Sequence, residues 1–341
     1  MEITTIGVDL AKKSLVMVAA GQRGKILVKK KMNSEQFFNY LLSLERSVVV
    51  VFEACGGSSY FARKVRELGF KAMLVNPLKV ARLRLTQKND FNDCIAIIEL
   101  AQREGTRTIA VNEIWQQDIQ SVHRIRSRIV KSRVELQNQV HGLCLEYGIV
   151  LPEGTKFKIK FYEAIESADN ELTARMRRIL KNLYEDFIGL EKRQEELGKE
   201  IDQIANEREE CQRLMEVPGI GGITATAFIA AVGQANNFKN GREVSAWLGL
   251  VPRQNTTGGH VKLGRITKKG DSYLRQLLVH GGRSVLVSMK KFPNKHDENF
   301  KKKIIRISTG GGFKKASVAV ANRNARVMWS LLSTGQSYKI A

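Results

Sequence analysis

The sequence lacks the features that mark membrane-spanning, zinc-binding and disulfide-rich proteins. No apolar run approaches the roughly 20 residues that a membrane-spanning helix needs, and Met1-Glu-Ile-Thr does not begin a signal-peptide pattern. We therefore expect no membrane attachment, no zinc site, reduced and mostly buried thiols, and structural or phosphate-contact histidines. The cysteines and histidines stand singly at Cys55, Cys94, Cys144 and Cys211 and at His123, His141, His260, His280 and His296.

Acidic residues are also scarce in the last third of the chain. Residues 239–341 contain 21 lysines and arginines against 4 aspartates and glutamates, whereas residues 1–238 contain 35 against 30. The 341-residue chain has a net charge of +22. Such a basic region is typical of nucleic-acid-binding proteins, because clustered cations attract phosphates. A basic surface that serves only solubility is the alternative.

Four carboxylates in the first third of the chain suit a metal-dependent phosphodiester enzyme. Asp9 and Glu53 each end a short apolar run that predicts a buried strand, and Asp90 and Asp93 begin a predicted helix. Their spacing of three points Asp90 and Asp93 to one side of that helix. Converging acids repel one another unless cations lie between them, and Mg²⁺ or Mn²⁺ accepts oxygen ligands. Each acid alone has a simpler interpretation as a solvated charge or, for Asp90, a helix N-cap.

The order of predicted elements divides the chain into three domains. Residues 1–150 combine short strands with alternating helices, one of them capped by Ser34, and end in a long helix, which predicts an α/β domain with a mixed sheet. Residues 151–214 carry near-heptad leucines typical of a coiled coil. That segment forms either an intramolecular hairpin or a subunit contact, and we favour the contact. Residues 215–341 are predicted to be mostly helical.

Residues 215–227 predict a helix-hairpin-helix. An apolar helix end is followed by a Pro-Gly-Ile-Gly turn and a helix of small residues. Gly219 and Gly221 would let the backbone approach a phosphate, and the second helix would offer unpaired N–H donors. Such a hairpin binds the nucleic-acid backbone without reading bases. The alternative is a tight packing turn between two helices.

The stretch Trp247–Arg275 predicts a phosphodiester-binding loop. Thr256 and Thr257 precede two glycines on a predicted flexible turn, where glycine permits close approach and cations could stabilise charge developing on phosphorus. A phosphate-contact loop without covalent chemistry is the alternative. The surrounding cations are Arg253, Lys262, Arg265, Lys268, Lys269 and Arg275.

Together these segments resemble the DEDD transposase family of bacterial insertion sequences, which includes the pilin-gene invertases, over nearly the whole chain. Residues 146–152 are similar to the subgroup that targets repeated or attachment-site sequences. The matching motifs are Ile6-Gly-Val-Asp9, Phe52-Glu-Ala-Cys-Gly56, Lys88-Asn-Asp-Phe-Asn-Asp93, Val217-Pro-Gly-Ile-Gly221 and the stretch from Gly249-Leu-Val-Pro252 to Leu274-Arg275.

The resemblance implies a RuvC-like (RNase H-type) N-terminal domain, a helical coiled-coil middle and a mostly α C-terminal transposase domain. It implies double-stranded donor and target DNA as substrates and a structured non-coding guide RNA, called a bridge RNA or seekRNA, as a partner. It further implies a homo-oligomer, dimer or tetramer, in the bacterial cytoplasm near the nucleoid. The metal ions, Mg²⁺ or Mn²⁺, would be held by Asp9, Glu53, Asp90 and Asp93.

The chain departs from this family at one position. In the family, a serine after the Gly-Leu-x-Pro motif becomes covalently linked to DNA; its position here is Thr257, with Thr256 before it. Three interpretations stay open: one of the two threonines is the nucleophile, Ser272 replaces them, or the enzyme is weak or inactive. Thr257 is favoured because it directly precedes Gly258, where permissive backbone suits an exposed nucleophile.

The leading prediction is an RNA-guided, Mg²⁺-dependent DNA recombinase that works through a covalent protein–DNA intermediate. Because the acids and the hydroxyl lie in different predicted domains, a composite site shared between subunits fits this prediction. The alternatives are a RuvC-like structure-selective nuclease that uses water, and a non-catalytic nucleic-acid-binding protein.

Overall fold

A computed structural model describes residues 2–11, 14–83, 89–233, 235–258, 260–292 and 298–339. The chain forms two compact units, residues 1–114 and 115–341, which are described separately below. The long helix predicted at the end of the first domain thus begins the second unit, and the three-domain division stays a prediction. Lys88 of the family motif, Gly259 of the threonine–glycine stretch and His296 lie outside the described residues.

The first unit is built on a five-stranded mixed sheet, as its sequence pattern predicts. The strand order is β3-β2-β1-β4-β5, with β1–β2 and β2–β3 antiparallel and β1–β4 and β4–β5 parallel. The central strands are nearly continuous apolar runs because both faces of the sheet are covered. The strands are β1 (Thr5–Leu10), β2 (Leu15–Ala20), β3 (Ile26–Met32), β4 (Val49–Glu53) and β5 (Lys71–Val75).

Helices cover both faces of this sheet. Phe37 of α1 and Phe52 of β4 lie in one core, and Val51 and Ile97 lie in the core on the opposite face. The mixed α/β fold class is therefore confirmed, while the RuvC-like assignment stays a prediction. The helices are α1 (Ser34–Leu42), α2 (Ser58–Glu67), α3 (Pro77–Leu83) and α4 (Asp90–Gln102).

Two predicted helix caps are each wrong by one residue. Asn33, not Ser34, caps α1. Its side chain accepts a hydrogen bond from Gln36 N at 2.9 Å, and Asn33 N donates to the Gln36 side chain. Likewise Asn89, not Asp90, caps α4 by accepting from Phe91 N at 2.9 Å. The capping alternative for Asp90 is therefore wrong, and its carboxylate has no capping duty.

Within the residues that the structure describes, the second unit is mostly helical and carries one β-hairpin, which confirms a mostly α C-terminal part. Its long helices α5 and α7 match the predicted helical stretches, whereas α6 was not predicted. The last helix is interrupted at Gly312, whose φ is +80°. The helices are α5 (Ile114–Leu145), α6 (Phe157–Glu166), α7 (Ala174–Glu207), α8 (Glu209–Met215), α9 (Gly222–Val232), α10 (Gly241–Trp247), α11 (Ser272–Lys291) and α12 (Glu298–Thr334).

The apolar stripe of α7 packs largely within the chain. Leu180 and Phe187 share a core with α6 and the end of α5, while Ala205 packs into the core formed around α9. The hairpin interpretation accounts for these buried positions. We favoured a subunit contact. Of the near-heptad leucines, only the half-buried Leu190 and Leu197 lie outside these cores and would be available for it.

Among the described residues, no helix is both long enough and apolar enough to cross a membrane. Cys94, Cys144 and Cys211 are buried as expected, whereas Cys55 is exposed.

Candidate active site

Asp9 and Glu53 lie side by side at one edge of the sheet. β1 and β4 are parallel neighbours, and their last paired residues are Val8 and Phe52. The next residue on each strand is a candidate carboxylate. Both carboxylates are half-buried. This edge is where the carboxyl ends of parallel strands meet and where ligands of α/β sheets bind.

Helix α4 brings the other two carboxylates to β1. A Cβ on Gly7 would lie 2.5 Å from the Cys94 carbonyl oxygen, so the glycine permits a close approach of helix and strand. Asp90 and Asp93 occupy the first turn of α4, where the helix dipole favours negative charge. Asp93 is 6% exposed and Asp90 is exposed, so the pair combines one fixed and one accessible carboxylate.

The negative charges of these acids raise the pKa values of two nearby thiols, those of Cys94 and Cys55. Burial raises the pKa of the Cys94 thiol; a hydrogen bond with the Asp9 backbone opposes this, and the charges of Asp9, Asp93 and Asp90 raise the pKa further. Burial also raises the pKa of Cys55, with Glu53 and Asp9 adding to the effect. Asp9 acts on both thiols, so its charge is felt both beside Glu53 and at the start of α4.

The carboxylates at this edge are chemically suited to a divalent metal ion, although their side chains do not converge closely enough to form a metal site. Within the described residues, no group of three or more His, Cys, Asp or Glu side chains lies close enough to hold a metal ion. Carboxylate oxygens are nevertheless the ligands that Mg²⁺ and Mn²⁺ prefer. Asp9, Glu53 and Asp93 would hold such an ion, and the exposed Asp90 has room to turn toward it.

The predicted flexible loop is a β-hairpin. Strands β6 (Pro252–Thr257) and β7 (His260–Ile266) are antiparallel, and Thr257 pairs with His260, so two residues connect them. Thr256 and Thr257 therefore lie on a strand and not on a flexible turn, which corrects the sequence prediction. Gly258 has φ +56°, as a tight hairpin connection requires. All six residues of β6 are exposed.

The two threonines point to opposite faces of the hairpin. Thr256 pairs with Val261, and its hydroxyl accepts from Gln254 Nε2 at 2.9 Å, two residues back on the same face. Thr257 shares the other face with Lys262, because directly paired residues point the same way and neighbours alternate. Arg253 lies on that second face beside Gly264. Only Thr257 is thus on the face that carries these two cations.

The base of the hairpin is held rigidly on the second unit. Gly249 and Gly270 have φ of +69° and +76°, and a Cβ at either would collide with backbone across the base. Arg275 Nη1 donates to Leu248 O at 3.0 Å and Lys269 O at 2.9 Å. Arg275, a predicted nucleic-acid contact, thus makes intramolecular hydrogen bonds that hold the base of the hairpin.

Of the remaining predicted cations, Lys262, Arg265, Lys268 and Lys269 are exposed at or near the hairpin, as a phosphate-binding surface requires. Lys268 has φ +56°, unusual for a residue with a side chain. Lys268 therefore lies at a left-handed turn at the base of the hairpin.

The turn between α8 and α9 is a packing turn at Gly219. Gly219 has φ +85°, and a Cβ there would lie 2.5 Å from Gly281 O of α11. A Cβ on Gly222 would lie 2.9 Å from Asp202 Oδ1, so a carboxylate already stands beside the first turn of α9. Gly221 faces open space. The packing alternative therefore explains Gly219, and a phosphate-binding role for the turn stays a prediction that rests on Gly221.

His123 is a buried residue whose role the sequence did not reveal. Its Nδ1 lies 3.0 Å from the Tyr273 hydroxyl and its Nε2 lies 3.0 Å from Thr226 Oγ1. Because Thr226 donates to Gly222 O at 2.7 Å, it accepts from the Nε2–H of His123, and Nδ1 accepts from Tyr273. This chain of hydrogen bonds joins α5, α9 and α11 and requires a neutral imidazole.

Protonation of His123 is expected to destabilise the second unit. Burial lowers the pKa of His123 from 6.5 to about 4, Arg126 lowers it too, and Asp271 acts in the opposite direction. Between these two values the unfolded chain binds more protons than the folded chain. The contribution of neutral His123 to the free energy of unfolding is therefore fully present above about pH 6.5 and is lost as the pH falls toward 4. The loss is about 3 kcal/mol at most.

The test compares urea unfolding of the unsubstituted protein and His123→Gln at pH 7, 5.5 and 4.5. The variant is expected to lose less stability on acidification, since its amide does not titrate. His280→Gln, on the exposed side of α11, is the matched control and should follow the unsubstituted protein. Parallel pH profiles for all three proteins would contradict a neutral, hydrogen-bonded His123.

Comparisons with known proteins agree with the site. A DEDD transposase model of the IS110 type matches residues 6–149, and the model described as "Transposase IS116/IS110/IS902 family" matches residues 211–297. The first match includes all four carboxylates, and the second includes the whole hairpin.

Several curated relatives match almost end to end. The transposase for insertion sequence element IS1111A of Coxiella burnetii is 35% identical, covering 99% of this chain and 92% of the relative. A probable family 20 transposase of Pseudomonas aeruginosa is 36% identical, with 99% of both chains covered. The transposase for insertion sequence element IS1328 of Yersinia enterocolitica is 31% identical, with 98% of both covered. The chain belongs to the IS116/IS110/IS902 family of insertion-sequence transposases, enzymes that cut and rejoin DNA.

Proposed function

We propose that this transposase recombines DNA through a covalent threonyl–DNA intermediate, with a divalent metal ion and a structured guide RNA. The observation that carries the proposal is the chemical division of the chain. Asp9 and Glu53 end neighbouring parallel strands and Asp90 and Asp93 begin α4, whereas a separate exposed hairpin carries hydroxyls among cations with no acid between residues 244 and 270. Acids suit metal ions and cations suit phosphates.

The proposed step exchanges one ester for another. The Thr257 oxygen bonds to phosphorus, its proton passes to a base or to water, and the bond from phosphorus to a deoxyribose oxygen breaks. That oxygen leaves as a hydroxyl after taking a proton. In rejoining, a DNA hydroxyl attacks the threonyl ester and releases Thr257, so bond energy is conserved without ATP.

Thr257 is the proposed nucleophile because of its place on the hairpin. It shares a face with Lys262 and Arg253, whose charges would stabilise the negative charge that develops on phosphorus. Thr256, by contrast, accepts a hydrogen bond from Gln254 on the other face. Ser272 is the exposed first residue of α11 and stands on a helix, not on the hairpin.

The carboxylates would hold the metal ion. Asp9, Glu53 and Asp93 offer ligand oxygens from two strands and a helix, and Asp90 would complete the set. When bound, the ion would act as a Lewis acid toward oxygens of the DNA phosphate. Asp93 lies in the first turn of α4, and its low exposure limits the ways in which its carboxylate can turn.

The experiment uses the full-length protein with RNA transcribed from the DNA that flanks its gene, and plasmids carrying donor and target sites. The expected result is joined product that requires both the RNA and Mg²⁺ or Mn²⁺. Metal-dependent cutting without joining would support the water-using nuclease instead. Joining that persists without RNA would contradict guidance, and no reaction at all would favour the non-catalytic interpretation.

The hairpin base is expected to contribute phosphate contacts through Lys268 and Lys269. Replacing both by glutamine removes two charges and keeps polar, unbranched side chains only slightly shorter than lysine. Each lost contact should reduce the magnitude of the slope of log K against log salt concentration by about 0.9. In the double variant this slope should therefore be smaller by about 1.8 on duplex DNA of any sequence. Lys192→Gln/Arg193→Gln, on the exposed surface of α7, is the control. An unchanged slope in the hairpin variant would count against these lysines as contacts.

A further inference from the structure

The hairpin carries an exposed apolar pair that the proposed chemistry does not use. Val261 and Leu263 are each 61% exposed. They are two residues apart on β7, so both point to one face, where they pair with Thr256 and Gln254. This surface, the apolar face, is defined by Val261 and Leu263 and lies opposite the face of Thr257.

The charge around the apolar face restricts its partner. No acidic residue occurs between residues 244 and 270, and Arg265 lies two residues beyond Leu263 on β7. Lys262 and Arg253 line the opposite face. A second copy of this hairpin would meet the apolar face with the same positive charge and be repelled. A polyanion whose interior is apolar is the complementary partner.

Duplex DNA has this chemistry. Its phosphates line the edges of a groove whose floor consists of base edges and sugars, and two-stranded β-ribbons enter such grooves. Apolar side chains that reach the floor can partly unstack a base step. The hairpin is suited to this insertion because its strands are exposed while its base is fixed through Gly249, Gly270 and Arg275.

We propose that the hairpin inserts into a groove of duplex DNA with Val261 and Leu263 against the base edges, loosening the stack beside the strand to be cut. This inference rests on the proposed function, since it takes DNA as the substrate. It adds a division of labour between the faces: the Lys262 face binds phosphate, and the apolar face distorts the duplex. Loosened stacking would let the scissile phosphate turn toward Thr257.

The test uses the full-length protein without metal, so that binding is observed without cutting. The probe is a target duplex with 2-aminopurine at successive positions, whose fluorescence rises when stacking loosens. Val261→Thr/Leu263→Thr places residues that suit a β-strand at both positions but replaces the apolar surface. We expect about tenfold weaker binding, an unchanged salt slope and loss of the fluorescence rise.

Two matched variants separate the faces. Arg253→Gln/Lys262→Gln should reduce the salt slope by about 1.8 and keep the fluorescence rise. Val261→Ile/Leu263→Met keeps the apolar surface and should behave as the unsubstituted protein. Circular dichroism and thermal unfolding verify that each variant folds.

Three results would overturn the inference. Unaltered affinity and fluorescence in Val261→Thr/Leu263→Thr would show that the apolar face does not contact DNA. A change confined to the oligomeric state, measured by light scattering, would make that face an interface between chains. No fluorescence rise with the unsubstituted protein, despite binding, would remove the distortion. The proposed function fails separately, through loss of recombination by the unsubstituted protein.

Discussion

Replacing Thr257 by alanine is expected to stop covalent joining, lowering the recombination rate by at least about 10³-fold, because the variant lacks the hydroxyl that forms the ester. DNA affinity should change little, since the cations on the hairpin remain. Thr257→Ser should keep or raise activity, because it retains the hydroxyl and removes the methyl group that crowds attack on phosphorus. Recombination rates and binding affinities measured on the same preparations test both expectations.

Thr256→Ala is the matched control for Thr257→Ala. The two threonines are neighbours on β6, both are exposed to solvent, and they differ in the face to which they point. Thr256→Ala should therefore retain joining. Robust joining by Thr256→Ala/Thr257→Ala would contradict a hairpin nucleophile altogether.

Replacing Asp93 by asparagine is the second change with a large expected effect. It should lower metal-dependent recombination by at least about 100-fold, because an amide supplies no negative charge to a divalent ion. The fold should persist, since asparagine has nearly the same shape and one source of repulsion among the acids is removed. RNA binding should be unchanged. The measurements are recombination in Mg²⁺, Mn²⁺ binding by calorimetry, and urea unfolding.

Glu99→Gln is the control on the same helix. Glu99 is at the far end of α4 and accepts a hydrogen bond from Arg103 Nη2 at 2.6 Å. The substitution therefore removes a surface ion pair and leaves the four candidate carboxylates unchanged. It should recombine normally. Recombination by Asp93→Asn at the unsubstituted rate in Mg²⁺, or weaker Mn²⁺ binding by Glu99→Gln alone, would contradict the carboxylate site.

The carboxylate edge was predictable because its signals are local. Asp9 and Glu53 follow apolar runs that only a buried strand explains, and parallel strands bring their carboxyl ends together. Asp90 and Asp93 begin a helix whose period is plain. What the sequence did not give was the position of each helix cap, where adjacent polar residues at 33 and 34 compete for one role.

The hairpin was missed because its first strand has no apolar residue from Arg253 to Thr257, and exposed strands lack the alternation that burial imposes. Val261 and Leu263 do alternate on β7, which was the available signal. Helix α6 was missed because it is short and follows the break at Pro152.

The roles of Arg275 and His123 depend on partners distant in sequence. Arg275 reaches the backbone of Leu248, and His123 contacts Thr226 and Tyr273, more than 100 residues away. A charge or an imidazole in a basic sequence indicates nothing about such tertiary partners, so both residues were interpreted by composition alone. The sequence predicted a nucleic-acid contact for Arg275 and left His123 between a structural and a phosphate-contact role, whereas in the structure both hold parts of the second unit together.

The most direct measurement traps the covalent intermediate. The full-length protein with its guide RNA and Mg²⁺ is incubated with a nicked suicide duplex that releases the leaving strand, and the adduct is digested and mapped by mass spectrometry. The account predicts a nucleotide bound to Thr257, absent from Thr257→Ala and present in Thr256→Ala. An adduct on Ser272, or metal-dependent cutting with no adduct on any residue, would contradict it.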